Sequence, residues 1–200
     1  MAVSLKKRHT NKQRNNQLKR ILIETERLFL RELEDTDEND LFEMDSDPEV
    51  HLYIENNLVK SIAEIKKIIE MLTKQYNENG IARWAVIDKL TNECIGWAGL
   101  KYCKEQLNNH NNFYELGYRF KKKHWGKGFA TESSRAILDY GFKNLNTDSI
   151  FAIVGSKNEN SKKVLTKLGF DFQETFNCEG DPTDWFELKK SKWKNQKPNC

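Results

Sequence analysis

Apolar residues recur with two different periods along this chain, one typical of helices and the other typical of strands. The segment from Ser61 to Gly80 has the helical period, with Ser61 and Glu64 spaced as a capping box and Gly80 at its end. The apolar positions of this segment share one helical face: Ile62, Ile65, Ile68, Ile69, Leu72 and Tyr76. We therefore predict one long amphipathic helix between residues 61 and 80.

Shorter apolar runs on both sides of this helix predict the remaining elements. Strands are predicted at 27–33, 82–88, 94–102, 113–120, 149–154, 170–176 and 185–188, and helices at 34–45, 129–145 and 158–168. The order is strand, helix, helix, three strands, helix, strand, helix and two strands, without an internal repeat. This order predicts a single mixed α/β domain with a meander in its sheet.

Charge is concentrated at the two ends of the chain. The net charge is +3, but residues 1–20 carry seven Lys or Arg, residues 189–200 carry five Lys, and neither segment has an acid. Residues 21–188 therefore hold 21 basic and 30 acidic side chains, a balance of −9. We predict basic tails at 1–20 and 191–200 around a domain at 21–190. The acidic body favours a cationic substrate, and contact with nucleic acid is expected only through the tails.

Several classes of protein and site are disfavoured. No run approaches the ~18 uncharged apolar residues of a membrane helix, and the basic N-terminus lacks the apolar run of a secretory signal. The four cysteines form no C-x-x-C pair, so we expect reduced thiols in a cytoplasmic protein. The four histidines are scattered without an H-E-x-x-H pair, so we expect no metal site.

A glycine-rich turn lies between the predicted strand 113–120 and the helix after it. Gly126 and Gly128 let the backbone approach a ligand closely, and the free N–H groups of a first helical turn attract an anion such as phosphate. The basic residues around the turn are Lys121, Lys122, Lys123 and Lys127. The alternative is an ordinary helix start, since neither the P-loop nor the dinucleotide fingerprint is matched.

The motifs around this turn resemble the GNAT superfamily of N-acetyltransferases. After the x-x-Gly-x-Gly turn, a helix and a strand, the chain continues with Asn158-Glu159-Asn160-Ser161 and then Leu168-Gly169-Phe170. Three further segments are similar to the RimJ/RimL branch, which includes enzymes that acetylate the N-terminal amine of ribosomal proteins: Glu24-Thr25-Glu26-Arg27-Leu28, Asp47-Pro48-Glu49-Val50 and Glu115-Leu116-Gly117-Tyr118. The likeness covers most of the chain.

The resemblance implies a central, mixed, mostly antiparallel, twisted sheet of about seven strands flanked by about four helices. It also implies transfer of the acetyl group of acetyl-CoA, a cosubstrate, to a primary amine in a ternary complex, by a monomer or homodimer. The amine belongs to a protein N-terminus or to a small molecule. Backbone N–H groups of the turn would hold the diphosphate, the strand would pair with the pantetheine, and Asn158 would meet it from the other side. The implied coenzyme residues are Tyr118, Phe120, Lys123, Gly126, Lys127, Gly128, Phe129, Ala130, Thr131 and Asn158.

The resemblance also suggests catalytic groups. An alkyl amine with a pKa of about 10.4 is mostly protonated at pH 7, so a base has to help it attack. We expect Glu115 to be that base, directly or through a water; the alternative is a strand carboxylate paired with a neighbouring Lys or Arg. Many family members have a Tyr acid where this chain has Leu165. Ser161 is the nearest substitute, unless it only bonds to the helix start or the thiolate leaves without an acid.

Aromatic residues are candidates for the acceptor pocket. We expect Tyr53, Trp84 and Trp97 to line it, with the alternative that they belong to the core. A different class of function is also consistent with the sequence, because Leu165 replaces the usual acid and the tails are basic. The chain would then be a CoA-binding or ribosome- or RNA-associated module with little or no turnover.

Overall fold

The computed structural model describes residues 21–53 and 58–195. Its strands are β1 Ile21–Glu24, β2 Leu28–Arg31, β3 Arg83–Asp88, β4 Cys94–Cys103, β5 Phe113–Phe120, β6 Ser149–Gly155, β7 Asp171–Cys178 and β8 Asp181–Lys189. Its α-helices are α1 Glu38–Asp45, α2 Ile62–Asn79, α3 Phe129–Asn144, α4 Glu159–Leu168 and α5 Lys190–Asn195. The basic segment expected at 1–20 lies outside the described residues.

All eight strands form one sheet in the order β1-β2-β3-β4-β5-β6-β8-β7. Every neighbouring pair is antiparallel except β5 and β6, which are parallel and share a single registered pair, Glu115 with Phe151. The sheet therefore opens between these two strands beyond Glu115. The expected mixed, mostly antiparallel fold is confirmed, and the described residues form eight strands and five α-helices in place of about seven and four. The added strand β1 precedes the predicted first strand and pairs with it.

Alternation along the strands divides the core between two faces of the sheet. On one face Trp84 meets Tyr140 of α3 edge-on, with ring centroids 5.1 Å apart. Gly141 lets α3 approach this face, because a Cβ at that position would lie 2.6 Å from Leu100 Cδ1. The helix predicted at 61–80 is present as α2; Ile65 and Ile69 are buried, and the helix ends at Gly80 with φ +69°. The predicted capping box is not formed, because Ser61 makes no side-chain N-cap bond and its Oγ donates to Glu64 Oε1 at 3.2 Å instead. Thus the apolar pattern and the Gly80 C-cap fix α2, while close packing fixes α3.

The C-terminal helix α5 belongs to the packed domain. Trp193 is 3% exposed, and its Nε1 donates to Asp139 Oδ1 of α3 at 2.8 Å. The ring also lies beside Phe142 and beneath the guanidinium of Arg135. The packed part of the chain therefore continues beyond the boundary expected at residue 190.

Across the described ranges, no helix combines the length and the apolar character needed to cross a bilayer.

Candidate active site

The glycine turn leads from β5 into α3 as the sequence predicts. Gly126 has φ +72° and Gly128 has φ +83°, a region where a side chain is strained. Gly128 is the N-cap residue of α3 and brings no side chain to cap it. The first backbone N–H groups of α3 therefore lack the helical partners that later residues have, and they are donors for an anion.

A cavity of about 400 Å³ lies beside this turn, where β5 and α4 face each other. Eight of the residues predicted to bind the coenzyme line it: Tyr118, Phe120, Gly126, Gly128, Phe129, Ala130, Thr131 and Asn158. Ser161 and Tyr53 line it as well. The cavity thus joins the helix start, the end of β5 and the start of α4 in one space.

The lysines before the turn do not serve this cavity. Lys121 Nζ contacts Asp40 at 2.6 Å, Glu43 at 2.7 Å and Glu93 at 2.8 Å. Lys123 Nζ contacts Glu43 at 2.9 Å and Glu93 at 2.7 Å. The positive charges of Lys121 and Lys123 are therefore paired with carboxylates. Lys123 and Lys127, although described, are not among the residues that line the cavity, and their expected backbone contacts with a diphosphate stay a prediction.

Glu43 and Glu93 are held ionised, because hydrogen bonds from Lys121 and Lys123 lower the pKa of both carboxyls. Burial alone would raise the pKa of Glu93, but hydrogen bonds from Lys121 and Lys123 outweigh it and lower the pKa to about 2. Asp40, Glu43 and Glu93 are close enough together to hold a metal ion. The ammonium group of Lys121 contacts all three and supplies the positive charge that such a cluster needs.

The wall opposite the turn consists of α4 and Tyr118. The Tyr118 hydroxyl lies 2.8 Å from Ser161 Oγ, and Ser161 N donates to Asn158 Oδ1 at 3.0 Å. Asn158 is thus the N-cap of α4, and Ser161 is held between a cap and a phenol. Burial raises the pKa of Tyr118 to about 12, so the phenol keeps its proton at neutral pH. Leu165 is buried at 1% exposure.

Glu115 lies on the other face of β5 and does not line the cavity. Its Oε2 is 3.0 Å from Arg83 Nη2, and Arg83 Nη1 donates to its backbone carbonyl at 2.8 Å. Gly117 makes room for this guanidinium, since a Cβ there would lie 2.6 Å from Arg83 Nη2. The ion pair weighed as an alternative for Glu115 is therefore present in the structure.

The three aromatic candidates for the acceptor pocket are found in three different environments. Tyr53 is 44% exposed and lines the cavity. Trp84 is 2% exposed against α3, so its expected place in a pocket is corrected to the core. Trp97 lies on the Glu115 face, beneath the guanidinium groups of Arg83 at 5.4 Å and Arg119 at 5.2 Å.

Sequence reasoning missed two groups of residues near the turn. Arg119 lines the cavity and contacts the buried Asp45 at 2.6 Å. Thr25 and Arg27, in the link between β1 and β2, both bind Glu132 in the first turn of α3. Thr25 and Arg27 stand in a segment noted only for its likeness to a family branch, and nothing local in the sequence names Glu132 as their partner.

Comparisons with known proteins agree with this architecture. Residues 27–171 match the family model described as an acetyltransferase (GNAT) domain. The protein p20 of Bacillus licheniformis, described as an uncharacterized N-acetyltransferase, is 36% identical over 146 residues, covering 73% of this chain and 80% of p20. The spermidine N(1)-acetyltransferase of Escherichia coli K12 is 28% identical over 145 residues, covering 72% of this chain and 73% of that enzyme.

Among solved structures, a GNAT-family acetyltransferase from Bacillus anthracis superposes with a TM-score of 0.70 at 25% identity. The match covers 84% of this chain and 98% of the other.

Proposed function

This chain is an acetyl-CoA-dependent N-acetyltransferase of the GNAT family, and from that premise we propose that the cavity beside the glycine turn binds the coenzyme. The observation that carries the proposal is the turn itself. Two glycines with positive φ precede a helix whose first N–H groups have no side-chain cap, and these residues line the cavity. Apart from Gly126 and its two chain neighbours, no heavy atom of residues 21–53 and 58–195 lies within 4 Å of a Cβ built on Gly126, which leaves room for a diphosphate.

We propose that the pantetheine lies along the end of β5, where the sheet has opened. Beyond Glu115, β5 has no registered partner on its β6 side, so its backbone groups there are available to an extended ligand. Tyr118 and Phe120 belong to this stretch, and Asn158 and Ser161 face it from α4. The thioester carbonyl would then meet backbone N–H groups that stabilise the oxyanion of the transition state.

The amine nitrogen attacks the thioester carbon, the C–S bond breaks, and one proton leaves the nitrogen. We propose Glu115 as the group that accepts this proton, directly or through a water, because it stands where β5 and β6 begin to separate. Its carboxylate is held by Arg83, so it has to exchange that contact for the amine proton. The departing thiolate needs a proton, and Ser161 with Tyr118 is the nearest hydroxyl pair that lines the cavity.

We propose a primary amine as acceptor, carried by a cationic small molecule or by a protein N-terminus. The balance of −9 over residues 21–188 supports a cation. A small polyamine is favoured by the likeness to the E. coli spermidine enzyme, and a peptide by the RimJ/RimL-like segments of the sequence.

Incubation of the protein with acetyl-CoA and each of a panel of amines tests this proposal. The panel contains spermidine, spermine, lysine and short peptides with free N-termini. Acetylated product is expected for at least one class and is measured by mass spectrometry, with thiol release followed in parallel. A protein that binds CoA saturably yet acetylates none of these amines would contradict the proposed acceptor. Failure to bind CoA would contradict the assignment of the cavity.

A further inference from the structure

The carboxylate of Glu132 collects donors from the link between β1 and β2. Its Oε1 accepts from Thr25 Oγ1 at 2.6 Å and from the backbone N–H of Arg27 at 2.9 Å. Its Oε2 accepts from Arg27 Nε at 2.7 Å and lies 2.6 Å from Arg27 Nη2. Two guanidinium nitrogens thus converge on one oxygen while Thr25 and the Arg27 N–H hold the other, so the carboxylate is bound at both of its oxygens.

Arg27 also reaches back over the glycine turn. Its Nη1 donates to the carbonyl of Lys127 at 3.0 Å, and its guanidinium lies 4.6 Å above the ring of Phe129. Its Nη2 would be 3.5 Å from a Cβ on Gly128. One side chain therefore binds the residue before the N-cap, lies over the first helical residue, passes close to the N-cap and, through Glu132, holds the first turn of α3.

We propose that Arg27 is a positioning residue for coenzyme binding: with Glu132 it clamps the glycine turn in the shape that presents its N–H groups to the diphosphate. The inference rests on the proposed coenzyme site. It adds a role for Arg27, which is 100 positions from Lys127 in sequence and is not among the residues that line the cavity.

The physical reason lies in the glycines. Gly126 and Gly128 can adopt the required positive φ, but they also adopt many other conformations, so the turn alone is not held in one shape. An anion that binds several backbone donors loses affinity if it must first order them. Arg27 orders the turn before the ligand binds, so the ligand does not have to. Its hydrogen bond to the Lys127 carbonyl also pairs the partial negative charge of that oxygen near the phosphate site.

The test measures binding of CoA and of pantetheine, which lacks the diphosphate. Calorimetry gives the Kd for CoA, and ligand-observed NMR gives the Kd for pantetheine. The variants are Arg27→Ala, Arg27→Lys, Glu132→Gln and the double variant Arg27→Ala with Glu132→Gln. Arg135→Ala is the matched control. Arg135 is on α3, as Glu132 is, and its guanidinium lies over an aromatic ring as that of Arg27 does, but this ring is Trp193, away from the turn.

We expect Arg27→Ala and Glu132→Gln each to weaken CoA about tenfold, in line with losing a charged hydrogen-bond pair. The Kd of the double variant for CoA should be at most about twofold higher than that of the weaker-binding single variant, because both substitutions break the same clamp. Pantetheine affinity should stay within about twofold in every variant, and Arg135→Ala should match the wild type. Arg27→Lys should restore little, because an amine cannot hold Glu132 and the Lys127 carbonyl with a fork.

Several outcomes would overturn the clamp. Wild-type CoA affinity in Arg27→Lys, together with no loss of affinity in Glu132→Gln, would mean that the positive charge of residue 27 attracts the ligand directly and does not act through the turn. Equal loss of CoA and pantetheine would mean a general structural role, and unchanged CoA affinity in all variants would remove any role. If Arg27→Ala does not fold, Glu132→Gln and Arg27→Lys decide the matter. A wild-type protein that binds no CoA would instead contradict the proposed coenzyme site.

Discussion

Replacing Gly126 by Asp tests the phosphate assignment with charge, provided that the backbone effect is subtracted. Gly126 has φ +72°, and in the described part of the chain no heavy atom beyond its two chain neighbours lies within 4 Å of its Cβ position. A new side chain therefore meets no steric barrier, but it is strained by the left-handed backbone. Asn has nearly the same shape as Asp and tolerates this region equally well, so Gly126→Asn is the matched neutral control.

The size of the expected effect follows from Coulomb's law. If the introduced carboxylate lies about 5 Å from each of two phosphate charges and the effective dielectric constant of the open cavity is about 60, each repulsion is about 1 kcal/mol. The sum of about 2 kcal/mol corresponds to about a thirtyfold weaker Kd for CoA in Gly126→Asp than in Gly126→Asn. The backbone strain is common to both variants and cancels in this ratio.

Calorimetric titration with CoA at low salt measures the ratio, and repetition at about 1 M salt checks its origin, since screening at a Debye length of about 3 Å should remove most of it. Equal CoA affinities for the Asp and Asn variants at low salt would refute the placement of the diphosphate at this turn. A ratio that does not change with salt would refute the electrostatic explanation.

Three further predictions concern catalysis, packing and acid stability. Glu115→Gln should lower kcat at pH 7 and lower it less as the pH approaches 10, where the amine deprotonates unaided; a ratio of rates that is constant across pH would remove Glu115 as base. Trp84→Ala should lower the free energy of unfolding in urea by about 3–5 kcal/mol, because the ring is 2% exposed. The folded fraction should keep its CoA affinity. A selective loss of acceptor binding would instead show that Trp84 belongs to the acceptor site. The pKa of Glu93 falls from 4.5 to about 2 in the folded protein, so its contribution is complete above pH 4.5 and is lost as pH falls toward 2. Urea midpoints measured from pH 6 to 2 should show this loss, and Glu93→Gln should flatten the curve; parallel curves would contradict the coupling.

Elements with strong local signals were predictable from the sequence, and short elements that depend on tertiary contacts were not. Helix α2 was found from its apolar period and its terminal glycine. Strand β1 has four residues directly after a basic segment, and its pairing with β2 is what defines it. Helix α5 has six residues and is held by the burial of Trp193, a contact with α3 that no local pattern contains.

The features of the site also divide into those that the sequence predicts and those that depend on tertiary contacts. The turn around Gly126 and Gly128 was predictable, because a strand, two glycines and a helix are adjacent in sequence. The partners of Lys121 were not, since Asp40 comes from α1 and Glu93 from the turn before β4. In the observed register Trp84 and Trp97 face opposite sides of the sheet, but alternation does not say that a helix ring packs on Trp84 and guanidinium groups pack on Trp97.

The single registered pair between β5 and β6 has a consequence for the kinetics of the enzyme. Beside this gap, one strand presents Tyr118 toward one side of the sheet and Glu115 toward the other. In the proposed reaction the coenzyme binds on the Tyr118 side and the amine reaches Glu115 on the other side, so the two substrates would approach this strand from opposite faces and neither would have to leave before the other binds. Double-reciprocal plots of initial rates should therefore intersect rather than run parallel.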